Sequence, residues 1–204
     1  MNIAVVIPWH GRVKLARKVF SYHASNPVFT EGGVNDPLGA KFNRGFAHVR
    51  NWPLDVYDGA MIVGSDDLIH PDYFAWIREN KPVYCELGAC HWFNGETGEM
   101  RAAEGSRLGA GTYMSREYLE RCSYAPYEPE KNKMLDSGPP RWLKRGERTT
   151  LDPPEHPIYL IDIKGPGSMW GWDWVTRLPR QRRVDADKVF ASFGLEKEEW
   201  MGLV

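Results

Sequence analysis

Ala60-Met-Ile-Val-Gly-Ser-Asp-Asp-Leu-Ile-His-Pro-Asp72 is the stretch on which the reading of this chain turns. Gly59 to Val63 is a short, continuous, partly branched apolar run, the pattern of a strand buried on both faces. It stops at Gly64-Ser65-Asp66-Asp67, and a helix is expected from near Pro71, a residue that suits a first helical turn. In open α/β sheets, ligands gather beyond the carboxyl ends of the strands, which is where Asp66 and Asp67 fall. Two adjacent carboxylates repel each other unless a cation or hydrogen-bond donors satisfy them. Their hard oxygen atoms suit Mg²⁺ or Mn²⁺. The plainer alternative is a solvated turn in which an Asp caps the next helix.

Working outward, Asn2 to Pro8 carries Ile3-Ala-Val-Val-Ile7, a second buried strand closed by Pro8. Arg12 to Ala24 places Val13, Leu15, Ala16, Val19 and Phe20 at helical spacing. A short strand is read at Val28 to Thr30 and a helix over Phe42 to Leu54. Further strands are read at Pro82 to Trp92, Glu99 to Ala103 and Ile158 to Ile163. Ser115 caps a short helix. A helix is expected near Pro140 to Arg145, and closing helices at Asp187 to Phe193 and Glu196 to Met201. Trp170, Trp172 and Trp174 alternate, which would put them on one face of an extended segment. The expected class is α/β: one domain with a mixed, mostly parallel central sheet, a core over 1–165 and a C-terminal extension over 166–204.

Composition narrows the classes. The chain has 204 residues, 42% of them apolar and 26% charged, with net charge −1. These values suit one folded domain and argue against a generally basic nucleic-acid binder. No apolar run approaches the roughly 20 residues of a membrane span, so a cytoplasmic protein is expected. Cys85, Cys90 and Cys122 are too few and too poorly spaced for a zinc site and are read as free buried thiols. Two basic stretches, Arg141 to Arg148 and Arg177 to Arg183, are candidates for phosphate contacts or for ordinary solvated faces.

Three motifs, in order, resemble those of the family-two glycosyltransferases, whose fold is termed GT-A. They are Ile3-Ala-Val-Val-Ile-Pro8; Asn43-Arg-Gly45 with Ala47 and Arg50-Asn51; and the strand, acidic pair and Pro-led helix of Ala60 to Asp72. The likeness is good over residues 1–80, loose over 80–165 and slight beyond. It implies a nucleotide-sugar donor, UDP-sugar favoured, and Mn²⁺ or Mg²⁺ held by Asp66 and Asp67. It makes Pro8, Arg12, Asn43, Arg50, Ser65, Asp66 and Lys164 candidates for the donor site. It also implies an acceptor-side carboxylate as general base, Asp136 first and then Glu130. Two positions depart from the family. Gly64 stands where an acidic residue is common, and Thr30 and Glu31 stand where an Asp usually reads the uracil. The implied reaction is transfer of the sugar to a hydroxyl with inversion. The acceptor is a saccharide or other small molecule, or a hydroxylated base in bacteriophage DNA. The rival is a non-catalytic sugar- or nucleic-acid-binding protein on a degenerate GT-A scaffold. Oligomeric state is left open.

Overall fold

The fold is given by a computed structural model that describes residues 2–32, 36–53, 56–104, 109–131, 142–152, 155–168 and 171–204. The first apolar run forms β1 (Ile3–Trp9). α1 (Val13–His23) leads to β2 (Val28–Gly32), and α2 (Leu38–Arg50) leads to β3 (Gly59–Ile62). Both β2 and β3 run parallel to β1, with Val5 opposite Val28 and Ile3 opposite Gly59. Strand alternation divides the side chains of β1 between two layers. Ile3, Val5 and Ile7 pack with Leu15 and Val19 of α1. Ala4 and Val6 pack with Phe42 and Phe46 of α2. That is why the β1 sequence is apolar throughout rather than alternating.

The chain continues through β4 (Asp67–Ile69), α3 (Pro71–Asn80), β5 (Tyr84–Leu87), β6 (Ala89–Asn94) and β7 (Met100–Glu104). Then come β8 (Tyr113–Ser115), α4 (Arg116–Arg121), β9 (Arg148–Leu151) and β10 (Leu160–Lys164). α5 (Trp172–Val175), β11 (Arg182–Val184), α6 (Ala186–Ser192) and a 3₁₀ turn at Lys197–Trp200 complete the described elements. The first sheet has the order β2-β1-β3-β8-β5-β9. Among the described residues only β8 runs against the others, so the sheet is mostly parallel, as expected. The whole is an α/β, Rossmann-like arrangement.

A second sheet has the order β11-β7-β6-β10-β4. The strand read over Pro82 to Trp92 is two strands, and the chain passes from one sheet to the other at Gly88. A Cβ at Gly88 would lie 1.8 Å from Asp152 Oδ1 and 3.1 Å from the Leu151 carbonyl oxygen, so a side chain at the crossing would require the Asp152 carboxylate to move aside. The tryptophans of residues 170–174 are corrected as well. Trp172 and Trp174 lie in α5, where alternation does not put residues on one face. Trp170 lies outside the described residues. Of the helix expected near Pro140 to Arg145, the described residues 142–145 are not helical. The segment expected as a C-terminal extension contributes β11 to the second sheet. It buries Val175, Phe190 and Trp200 in the same apolar cluster as Ile3 and Val5.

Candidate functional site

The two sheets meet at the end of β3. The chain turns through Gly64-Ser65-Asp66 and enters β4, which pairs antiparallel with β10 so that Asp67 faces Asp162 in register. Ile163 N–H also donates to Asp66 C=O at 2.8 Å. This pairing carries Asp162, from a strand nearly a hundred residues later, to the acidic pair. Oxygen atoms of Asp66, Asp67 and Asp162 all lie within 4.8 Å of one another. Sequence reasoning did not single out Asp162. Its signal was a charged residue within the apolar run Leu160-Ile-Asp-Ile163. A buried carboxylate in a strand interior calls for a partner.

Each acid has its own surroundings. Asp67 is buried, and Gly64 N–H donates to its Oδ2 at 2.8 Å. A Cβ at Gly64 would lie 2.3 Å from that oxygen and 2.9 Å from Asp66 Oδ1. A side chain at position 64 would therefore push the two carboxylates away from the backbone they fold over. Asp66 is held from the β1 side by Arg12, whose Nη2 is 2.8 Å from Oδ2. The same guanidinium donates from Nη1 to Ser168 Oγ at 3.1 Å, and Gly165 N–H donates to that hydroxyl too. Arg12 has φ +38°, a left-handed conformation uncommon outside glycine, and it turns the side chain toward the carboxylates. Lys164 is buried, with Nζ 2.6 Å from Asp162 Oδ2.

Burial pushes the Asp67 carboxyl well above the usual range, and the charges of Asp162 and Asp66 push it further. Burial likewise raises Asp162 against the pull of Lys164. Burial alone would lower Lys164, but Asp162 and Asp66 outweigh it and hold the ammonium charged. Three carboxylates thus face two fixed cations. Asp162 Oδ1 is buried with no hydrogen-bond partner among the described residues. An orphaned oxygen beside two more carboxylates is a donor set that fits Mg²⁺ or Mn²⁺.

The other candidates fall into three groups. Pro8 is buried in β1 opposite Glu31, and Ser65 lies in the turn that carries Asp66. Asn43 is occupied with structure: its side chain bonds both the N–H and the C=O of Tyr127. Glu31 is paired with Arg44 at 2.7 Å. Glu130 is exposed in a turn whose next residue, Lys131, accepts a hydrogen bond from Gly39 N–H in the first turn of α2. That end of α2 is on the same edge of the first sheet as Asp66. Asp136 lies outside the described residues. Arg50 is not brought to the carboxylates. α2 runs back along the sheet, leaving Arg50 at the opposite edge, over the Tyr124 ring at 5.9 Å. The three cysteines are buried free thiols. Among the described residues no helix is long and apolar enough to cross a membrane.

No family model and no curated protein matches the chain. Among solved structures, it is similar to A197 from STIV, at 12% identity over 74% of this chain and 82% of that one, with a TM-score of 0.47. It is also similar to a glycosyltransferase involved in glycosylation of the major capsid of PBCV-1, at 12% identity, 79% and 93% coverage and a TM-score of 0.44. A third is a Bacillus anthracis protein assigned as a glucose-1-phosphate thymidylyltransferase, in complex with sucrose, at 11% identity, 79% and 89% coverage and a TM-score of 0.45.

Proposed function

We propose that this protein is a metal-dependent glycosyltransferase that moves a sugar from a nucleotide-diphosphate donor, UDP-sugar favoured, to a hydroxyl acceptor. The observation that carries the reading is the carboxylate triad Asp66, Asp67 and Asp162 at the carboxyl end of β3, flanked by Arg12 and Lys164. The three acids would hold Mn²⁺ or Mg²⁺, which when bound neutralises diphosphate oxygens and eases departure of the nucleotide. Lys164 balances Asp162, so the acids stay together in the fold. Arg12, bonded to Asp66 and Ser168, would exchange Asp66 for a phosphate oxygen and draw the Ser168 loop with it. In the transfer, the acceptor oxygen attacks the anomeric carbon on the face opposite the diphosphate. The bond from that carbon to the diphosphate breaks with its electron pair, and a carboxylate takes the hydroxyl proton, giving inversion. Asp136 and then Glu130 remain the proposed bases.

The rival, a non-catalytic binder, drew on the missing acid at Gly64. Asp162 restores a third carboxylate, which supports the enzyme. For the acceptor, a saccharide or other small hydroxyl compound is the better-supported reading. Arg148 is committed to the buried Glu86 at 2.6 Å and Arg183 reaches Glu99 at 3.0 Å, which draws on the basic stretches a DNA acceptor would need. The deciding experiment is a panel of nucleotide sugars with Mn²⁺, following donor hydrolysis or transfer and the configuration of the product. Turnover of a donor with inversion, reduced about 10²- to 10⁴-fold in Asp136→Asn or Glu130→Gln, is expected. No turnover of any donor, together with no nucleoside diphosphate binding, would overturn the proposal.

A further inference from the structure

At the edge of the first sheet opposite the carboxylates, a cavity of about 350 Å³ is lined by Arg50, Arg116, Glu120, Ser123 and Tyr124. The edge is fixed by the strand starts: Arg116 N–H donates to Asp58 C=O, one residue before β3, and Asp58 N–H donates to Asn2 C=O, one residue before β1. Two guanidinium groups converge there, each seated on a tyrosine ring. Arg116 lies 4.8 Å over Tyr57 and Arg50 lies 5.9 Å over Tyr124. The two phenol oxygens are joined at 2.8 Å, so the rings form one rigid wall carrying both cations. Glu120, 3.2 Å from Arg116, offsets one of the charges, which leaves the lining with an excess of one positive charge.

The backbone here is unusual. Ser123 and Tyr124 are consecutive non-glycine residues with φ of +54° and +61°. The two positions close α4: Ser123 N–H donates to Glu120 C=O at 3.0 Å and Tyr124 N–H donates to Leu119 C=O at 2.7 Å, the hydrogen bonds of a helix C-terminal cap. This cap brings Tyr124 against Tyr57 and Ser123 to the cavity lining.

We propose that this cavity is a second binding site, for the phosphoryl group of a small organic phosphate. Planar guanidinium forks match phosphate oxygens in pairs, and two forks suit a dianion better than a single carboxylate. The volume exceeds that of inorganic phosphate and falls at the small end of ordinary ligand sites, leaving room for an organic portion against Tyr124. The site is independent of the carboxylate triad and of the reading given to it.

The test is calorimetric titration in EDTA, so that no divalent cation lends affinity to the triad. The probes are inorganic phosphate, a nucleoside monophosphate and a hexose phosphate, against wild type, Arg50→Gln, Arg50→Lys and Asp162→Asn. Arg50 is exposed, so its replacement leaves the core intact. Wild type is expected to bind at least one organic phosphate more tightly than inorganic phosphate. Arg50→Gln should weaken it about 10- to 100-fold, the worth of charge-assisted hydrogen bonds, and Arg50→Lys should weaken it less. Asp162→Asn should leave it unchanged. Preference for the nucleotide or for the sugar phosphate identifies the source of the phosphoryl group. Absence of binding in wild type, equal binding by Arg50→Gln, or loss in Asp162→Asn alone overturns the proposal.

Discussion

Replacing Asp162 by Asn tests the site at the residue that the fold adds to it. In the metal-free protein the substitution has two opposed effects. It removes the attraction to Lys164 at 2.6 Å, about 6 kcal/mol at an effective dielectric constant of about 20. It also removes the cost of burying the charge and the repulsion from Asp66 and Asp67, whose oxygen atoms lie within 4.8 Å, about 3 kcal/mol for each on the same scale. Burial raises the Asp162 carboxyl despite Lys164, so the costs removed match or exceed the attraction lost, and without metal the variant should melt no lower than wild type. With metal the balance should move toward wild type. At Mn²⁺ a hundredfold above its dissociation constant, wild type should gain about 2.7 kcal/mol, roughly 5–11 °C. A hundredfold weaker variant should gain only about 0.4 kcal/mol, near 1 °C, at the same concentration. Thermal unfolding with a Mn²⁺ titration reads both quantities, and loss of the free-ion paramagnetic resonance signal counts the ion bound. If Asp162→Asn keeps the wild-type Mn²⁺ response, the triad is not the metal site, whatever happens to stability.

Gly64→Ala should destabilise the protein by about 1–3 kcal/mol and blunt the Mn²⁺ response, because the new methyl group meets Asp67 Oδ2 at 2.3 Å; an unchanged melting curve with and without Mn²⁺ would refute the packing argument. Arg12→Gln should weaken nucleoside diphosphate binding about 10- to 100-fold and leave Mn²⁺ binding equal or tighter, since a competing cation has left Asp66; weaker Mn²⁺ binding would mean that Arg12 organises the triad instead. His91 gives a pH dependence. Burial and the nearby Arg182 charge lower its imidazole to about 4. A group with a depressed folded pKa stabilises above its unfolded value, near 6.5, and that contribution is lost as pH falls toward 4. His91→Phe should therefore remove about 2–3 kcal/mol of the stability difference between pH 7 and pH 4, measured by urea unfolding at each pH; an identical pH profile in the variant would show that His91 does not carry it.

The opening third of the chain was legible because local rules decide it. An apolar run with β-branched residues, a helix at 3.6-residue spacing and a turn carrying two acids need no knowledge of distant residues to be read. β1, α1, α2 and β3 therefore stand close to where the sequence placed them, and Asp66 and Asp67 lie beyond the β3 end as expected. Arg12 follows the end of β1 and Lys164 ends β10, the positions read for them from the sequence. What the sequence did not disclose is which strand ends meet. Asp67 reads locally as a turn residue. It becomes a strand residue because β10 arrives to pair with it, and the same pairing supplies Asp162. Pairing between segments far apart in sequence leaves no periodic trace in either one, since its hydrogen bonds run between backbones. For the same reason the family-like spacing of Arg50 did not disclose its edge of the sheet. A residue at the end of a crossover helix is carried the length of a strand away from the loop where the acids sit. The chain by itself determined that two carboxylates would need a cation or donors. Only the tertiary structure determined the third carboxylate that joins them and the ion pairs by which Arg12 holds Asp66 and Lys164 holds Asp162.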